Sequence, residues 1–248
     1  MITVSFIIPT YNSEKTIRIA LESVKYQTFE DWECLVVDGA SKDGTIDIVK
    51  EFVELDSRFR YISEKDNGVY DAFNKGWRMA KGEWVHYLGD DDHLTPDGVL
   101  GLLQTKDIQD AEVVSGHCYI ERIDGTIKKN YSQGFFGCHQ GKITRKSTLE
   151  RFNGFDEQFR ILADKDLMLR MEKAGVKIIN VDVFVAYFSM TGMSQDLKGL
   201  KKRAMEMYKV YKNNNYPNSF FKAISYFLKS FCSIAYRRVS SRLNNVKK

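Results

Sequence analysis

The stretch "WECLVVDGASKDGTIDIVKEFVE", residues 32–54, decides the fold. It opens as a largely apolar run with neighbouring β-branched Val36 and Val37 and stops at Asp38-Gly39, which reads as a strand covered on both faces. "SKDGTIDIVKEFVE" then sets Ile46, Val49, Phe52 and Val53 at helical spacing. One strand feeds one helix across a short polar turn. That is the unit from which parallel sheets are built, because parallel strands need a crossover between them.

The pattern repeats on both sides. "VSFIIPT" (4–10) is a short apolar strand ending at Pro9-Thr10, and "SEKTIRIALESVKYQ" (13–27) is a helix with Ile17, Ala20, Leu21 and Val24 on one face and Ser13 as its expected cap. "FRYISEKD" (59–66) reads as a strand, "GVYDAFNKGWRMAKG" (68–82) as a helix and "EWVHYLGDDD" (83–92) as a strand. The order β-α-β-α-β-α-β predicts an α/β fold: a mostly parallel central sheet flanked by helices. "HLTPDGVLGLLQ" (93–104) predicts a further helix capped by Thr95 with Pro96 in its first turn. From about residue 111 the pattern loosens into a hairpin region. Helices follow at "RKSTLERFNGF" and "DKDLMLRMEKAG", then a strand at "VKIINVDVFVAYF". The expected division is one domain over 1–194, in two parts (1–110 and 111–194), and a basic helical tail over 195–248.

In open sheets of this kind ligands bind beyond the carboxyl ends of the strands. Pro9-Thr10-Tyr11, Asp38-Gly39, Glu64-Lys65-Asp66 and Asp90-Asp91-Asp92 all fall at such ends. Three consecutive carboxylates repel one another. A helix cap accounts for one of them, and a divalent cation shared with substrate phosphates accounts for the run; all-oxygen ligation of that kind suits Mg²⁺ or Mn²⁺. Asp38 reads either as an Asx-turn or as an acceptor for the N–H of a pyrimidine base, and Tyr11 as a half-buried aromatic or a platform for that base. Asp43-Gly44 fits a helix cap. Neither GxGxxG nor GxxxxGK[ST] is present, so a diphosphate would rest on metal and basic side chains, with Lys65 and Lys75 as candidates.

The ordered set "SFIIPTYN", "LVVDGASKDGT", "EKDNGVYDAFNKG", "YLGDDD", "CHQGKITR" and "ILADKDLMLR" resembles the family 2 glycosyltransferases, inverting enzymes of GT-A type, over about residues 1–190. The closest flavour is that of bacterial exopolysaccharide, capsule and O-antigen transferases. The resemblance implies a GT-A fold, a nucleotide-sugar donor (usually a UDP-sugar) and metal-dependent transfer. It assigns Pro9, Thr10, Tyr11 and Asp38 to the base, Asp90 to the ribose side, Asp91 to the metal with Asp92 assisting, and Asp164 to catalytic base, with Asp166 as fallback. His139 and Gln140 fall on the acceptor side. There are departures. Phe73 stands where relatives often carry an Arg, leaving Lys75 or Asp71 for a modified diphosphate contact, and Ala163-Asp164 replaces the usual Glu-Asp pair. The Gln-x-x-Arg-Trp motif of processive synthases is absent, which implies one sugar per visit to a glycan or lipid-linked acceptor. A nucleotidyltransferase and an inactive sugar-nucleotide-binding module are the rival readings.

The chain has 37 basic and 33 acidic residues. Nine of the bases lie beyond Glu206, where no acid follows, so residues 1–206 hold 28 bases against 33 acids, a formal −5. In the tail, Phe220, Ile224, Phe227, Leu228, Phe231, Ile234 and Ala235 form an apolar stripe beside Lys222, Lys229, Arg237 and Arg238. Such a helix packs on its own domain or lies on an anionic membrane; no nucleic-acid-reading module accompanies it. The four cysteines have no metal or disulfide spacing, and neither a signal peptide nor a spanning segment is evident. The expected location is the cytoplasm, at or near the inner face of the membrane.

Overall fold

A computed structural model describes residues 3–122, 124–189, 197–225 and 227–228. Nine strands form one sheet in the order β3-β2-β1-β4-β8-β6-β9-β5, with β7 paired to β6. The first four are β1 (Val4–Thr10), β2 (Trp32–Asp38), β3 (Phe59–Ser63) and β4 (Trp84–Tyr87), all parallel. Every residue of β1, β2 and β4 is buried, as their apolar runs require. The chain steps outward from β1 to β2 to β3, then returns to the other side of β1 for β4. Strand order thus reverses between β1 and β4, and such a reversal opens a crevice at the carboxyl ends.

Helices α1 (Ile17–Lys25), α2 (Thr45–Leu55) and α3 (Val69–Met79) are the crossovers. The stripe Ile17, Ala20, Leu21 and Val24 on α1 is buried as read from sequence. Ser13 does not cap α1 through its side chain; its hydroxyl donates to Asp90 instead. Helix α3 lies so close to β1 that a Cβ at Gly76 would overlap Ile7 Cγ2. Asn74, one residue from the sheet-facing Phe73, latches α3 to the loop beyond it: its Nδ2 donates to Phe155 O at 2.8 Å, and its Oδ1 accepts from Phe155 N at 2.9 Å and Trp77 Nε1 at 3.0 Å.

The remaining strands are β5 (His93–Leu94), β6 (Val113–Glu121), β7 (Ile127–Asn130), β8 (Lys142–Arg145) and β9 (Ile178–Ser189). The expected hairpin is β6 with β7, while β8 runs antiparallel against both β4 and β6. Helices α4 (Gly98–Leu103), α5 (Lys146–Arg151), α6 (Ala163–Lys173) and α7 (Leu197–Asn213) complete the fold. Helix α4 begins later than predicted, because Thr95 commits its hydroxyl to Phe184 O (2.8 Å) at the β5–β9 pairing rather than to a cap. Apolar side chains pack on both faces of the sheet, around Phe6, Trp32 and Leu102 on one and Ile7, Tyr87 and Leu167 on the other.

The first part of the tail packs on the domain. Leu200, Arg203, Glu206, Met207 and Val210 of α7 are buried. A turn at 214–218 leads into a second helical stretch from residue 219. Phe231, Ile234 and Ala235 of the predicted stripe, with Lys229, Arg237 and Arg238, lie outside the described residues, as does Cys232. Cys34, Cys118 and Cys138 are free thiols. Among the described residues no helix is long and apolar enough to cross a membrane.

Candidate active site

The carboxyl ends of β1, β2 and β3 are level: Thr10 pairs with Asp38, and Asp38 with Ser63. The turns beyond them interlock. Asn12, with φ 53°, accepts from Lys42 N at 2.8 Å through its side chain and donates its own N–H to Ser41 Oγ at 2.8 Å. Asp43 accepts from Thr45 N and Oγ1 at 3.1 and 2.5 Å, an Asx-turn just before α2, whose cap position is Gly44. Asp38 is fully buried, and its carboxylate accepts from Ser41 N, Ser41 Oγ and Ser63 Oγ (2.6 Å), so the Asx-turn reading describes its side chain. Tyr11 is 60% exposed, free to offer its ring face to a ligand.

Tyr11 does not stand alone. A Cβ at Gly39 would lie 2.8 Å from Asp66 Oδ2 and 3.3 Å from Tyr11 Cδ2, so Tyr11, Gly39 and Asp66 share one corner of the rim. Asp66 was visible in the sequence only as one member of a polar strand end. Lys65 is exposed nearby. The other expected diphosphate contacts are engaged elsewhere: Lys75 Nζ lies 2.8 Å from Glu64 and 3.7 Å from Asp71, and Asp71 accepts from Asn67 N at 2.8 Å at the start of α3. Phe73 is buried against Tyr87 and Phe155, with ring centroids 4.5 and 5.4 Å away. Arg160 reaches the same corner, its guanidinium donating to Asn67 O beside Asp66. No sequence signal pointed to it, since it comes from a loop far along the chain.

The triplet at the end of β4 splits. Asp90 and Asp91 are half-buried at the β1–β4 reversal. Burial raises the Asp90 carboxyl, and the hydrogen bond from Ser13 opposes that rise. Asp92 points inward instead: it is 2% exposed, accepting from Gln140 Nε2 at 2.6 Å and Ser189 N at 2.8 Å, and burial raises it to about 7. It joins the rim to β9 and to the 3-10 turn His139–Gly141. Among the described residues no three His, Cys, Asp or Glu side chains form a metal cage. Two neighbouring carboxylates fit Mg²⁺ or Mn²⁺ well, because such ions keep water and phosphate oxygens as their other ligands.

Beyond Asp92 the contacts lead to a second acid. Gln140 accepts from Cys138 Sγ at 3.2 Å, and its backbone carbonyl sits 2.9 Å from His86 Nε2. His139 stacks on Tyr87 at 5.2 Å and lies 5.6 Å from Phe73, and burial holds its imidazole neutral, at about 3. The same aromatic cluster includes Tyr70, 6.1 Å from Phe73 and 5.4 Å from Phe155. The Tyr70 hydroxyl lies 3.0 Å from Asp164 Oδ1 and 2.9 Å from Ile161 O, with one proton to share between them. Asp164 sits in the first turn of α6, where burial raises its carboxyl while Tyr70, Lys142 and Lys165 oppose the rise. A carboxyl poised in this way accepts a proton readily once ionised.

Asp166, two residues on, is 3% exposed and accepts from Arg170 Nε at 2.7 Å and Asn214 Nδ2 at 2.8 Å. It fastens α6 to the residue that follows α7. Glu206 of α7, missed in the sequence, accepts from the N–H groups of Arg160, Ile161 and Leu162 at 3.1, 2.9 and 3.1 Å. It ties down the cap residue of α6 and the two residues before it, and so the turn that leads into the helix carrying Asp164.

The sequence profile described as "Glycosyl transferase family 2" matches residues 5–174. A PGL/p-HBAD biosynthesis glycosyltransferase of Mycobacterium bovis is 31% identical over 182 residues, 67% of this chain and 68% of that protein. A GalNAc(5)-diNAcBac-PP-undecaprenol beta-1,3-glucosyltransferase of Campylobacter jejuni is 34% identical over 130 residues, 52% of this chain and 41% of the other. Among curated relatives the matched share of the other protein falls as low as 27%. Two solved structures share the fold. Residues 1–349 of S. aureus TarS, in complex with UDP-GlcNAc, superpose with TM-score 0.67 at 20% identity, over 84% of this chain and 65% of that one. Mannosyltransferase PcManGT of Pyrobaculum calidifontis, with GDP-Man and Mn²⁺, gives TM-score 0.67 at 17% identity, over 98% and 79%. The fold is therefore GT-A, and the chain belongs to glycosyl transferase family 2.

Proposed function

We propose that the chain transfers one sugar per encounter from a UDP-sugar to a glycan acceptor carried on a lipid, with inversion at the anomeric carbon. Asp164 carries this reading: a burial-raised carboxyl, oriented by Tyr70, on a segment separate from the acids of the strand-end rim. An inverting displacement needs those two acidic centres on separate elements. Tyr11 packs on the base, with Asp66 beside it, and Asp90 faces the ribose. Asp91, with Asp90, would hold Mg²⁺ or Mn²⁺, which when bound supplies positive charge against the departing diphosphate.

The acceptor hydroxyl approaches from the Asp164 side. Its oxygen bonds to the anomeric carbon as the bond from that carbon to the diphosphate oxygen breaks, and the electron pair leaves with UDP. The hydroxyl proton passes to Asp164. Tyr70 holds the receiving carboxylate in place, and the aromatic cluster of Phe73, Tyr87, His139 and Phe155 keeps water from the neighbouring wall. The lipid carrier is supported by the undecaprenol-linked glycan in the name of the Campylobacter jejuni relative, and UDP by the ligand of the TarS structure.

Thermal-shift screening of UDP-, GDP- and dTDP-sugars with Mn²⁺ identifies the donor, and NMR of the product reads the anomeric configuration. An α-linked UDP-sugar is expected to yield a β-linked product. Retention of configuration, or transfer of a nucleotidyl group instead of a sugar, would overturn the proposal.

A further inference from the structure

Helix α7 has two faces with different chemistry. The inner face holds Glu206 against the turn that leads into the helix carrying Asp164. The outer face, with the helical stretch that starts at residue 219, borders a groove of about 800 Å³. Met205, Phe220 and Ile224 line its apolar part, and Lys201, Lys209 and Lys212 stand along it. Among the described residues no acidic side chain lines the groove. Phe220 is 59% exposed and the adjacent Phe221 70%, while Leu228 continues the Phe220–Ile224 stripe and is exposed too. The stripe, read from the sequence as packing either on the domain or on a membrane, thus turns outward at these positions.

Exposed aromatic and aliphatic side chains rimmed by lysines have two needs at once: an apolar medium and negative charge. A patch of this kind marks an interaction site rather than ordinary surface. An anionic bilayer supplies both needs, with acyl chains beneath a phosphate layer. We propose that the groove between α7 and residues 219–225 is the protein's docking surface for an anionic lipid bilayer, with Phe220, Phe221 and Ile224 inserted at the headgroup boundary and Lys201, Lys209 and Lys212 on the phosphates. One helix diameter, about 10 Å, separates the two faces of α7. Docking there holds the Asp164 side of the site near the bilayer, where an acceptor on a lipid carrier would be presented. That consequence rests on the function proposed above; the docking itself does not.

The test uses the full chain carrying Phe220→Trp. Trp32, Trp77 and Trp84 are all buried, so the introduced indole is the exposed reporter among the described residues. With vesicles of phosphatidylcholine and phosphatidylglycerol, brominated acyl chains are expected to quench this reporter, and pure phosphatidylcholine vesicles are not. Each lysine beside an anionic surface is worth about fivefold in partitioning (~1 kcal/mol). Lys201→Gln, Lys209→Gln and Lys212→Gln together should therefore weaken sedimentation with anionic vesicles about 100-fold. Met205→Ser with Ile224→Ser should weaken it further, with UDP-sugar binding unchanged in every variant. Vesicle binding without quenching of the reporter would assign the membrane contact to another part of the chain and overturn the proposal. So would reporter emission already shifted to the blue without vesicles, because a second copy or another segment of the chain then fills the groove. Loss of transfer with intact quenching would break the functional reading and leave the docking surface standing.

Discussion

Asp91 and Asp92 are neighbours at the end of β4, and Asp164 and Asp166 are near neighbours in the first turn of α6. Each pair divides its work in the same way. Asp91 stays at the rim beside Asp90, while Asp92 turns inward to Gln140 and Ser189. Asp164 meets the Tyr70 hydroxyl, while Asp166 is locked between Arg170 and Asn214. On a helix, two residues apart means about 200° of rotation, so neighbouring acids face opposite ways. At the rim both carboxylates lie over Gly89, where a Cβ would sit 2.5 Å from Asp92 Oδ2 and 3.2 Å from Asp91 Oδ1. Burial rather than direction separates them. Under the proposed function, each cluster of acids joins a reactive member to a structural one.

Mutation of each member separately tests that division. The largest effect belongs to Asp164→Asn, expected to lower kcat by about 10²–10⁴-fold while donor affinity, followed by calorimetry, stays unchanged. Asp166→Asn should do the opposite, costing about 1–3 kcal/mol of stability in denaturant unfolding with turnover per folded molecule retained. If Asp166→Asn abolished turnover in a fully folded protein, the division would fail at α6. Glu206→Gln comes next. An amide cannot match a carboxylate as acceptor for three N–H groups, so kcat is expected to fall by up to about 10² as the base is misplaced, while UDP-sugar affinity changes little.

At the rim, Asp91→Asn should remove the Mn²⁺ dependence of UDP-sugar binding. Asp92→Asn should leave it in place and lower Tm by roughly 2–4 °C for each kcal/mol lost. The smallest effect is a shift in pH dependence. The base works ionised, so activity rises with pH through the Asp164 titration, which burial has moved above the ordinary carboxylate range. The Tyr70 hydrogen bond opposes that rise. Tyr70→Phe removes it, so the acid limb of the kcat profile should move to higher pH; a shift to lower pH would contradict the role given to Tyr70.

Much of the first half was legible because its signals are local. Apolar runs ended by Pro9-Thr10 or Asp38-Gly39 gave β1 and β2, and helical spacing gave α1 and α2. What local pattern cannot supply is a partner from far along the chain. Thr95 looked like a cap until β9 arrived to take its hydroxyl. Lys75, a phosphate candidate in the sequence, has Glu64 and Asp71 as neighbours that the sequence did not announce. Asp38 likewise had one reading in the sequence for its turn and another for a base, and Ser63 on the next strand completes the turn. Glu206 and Arg160 left no trace, since their partners are backbone groups 46 residues away in one case and 93 in the other. The site's acids could be listed from the sequence, but their directions came only with tertiary contacts.

Gly76 shows how far such dependence reaches. The missing side chain there lets α3 rest directly on Ile7, and α3 also carries Tyr70. One methyl group at residue 76 would lift the whole rod off its bed, carrying the phenol away from the proton acceptor it steadies. A substitution scan that ranked positions by nearness to bound sugar would pass over this glycine, yet its lack of bulk sets the height at which the reaction chamber is built.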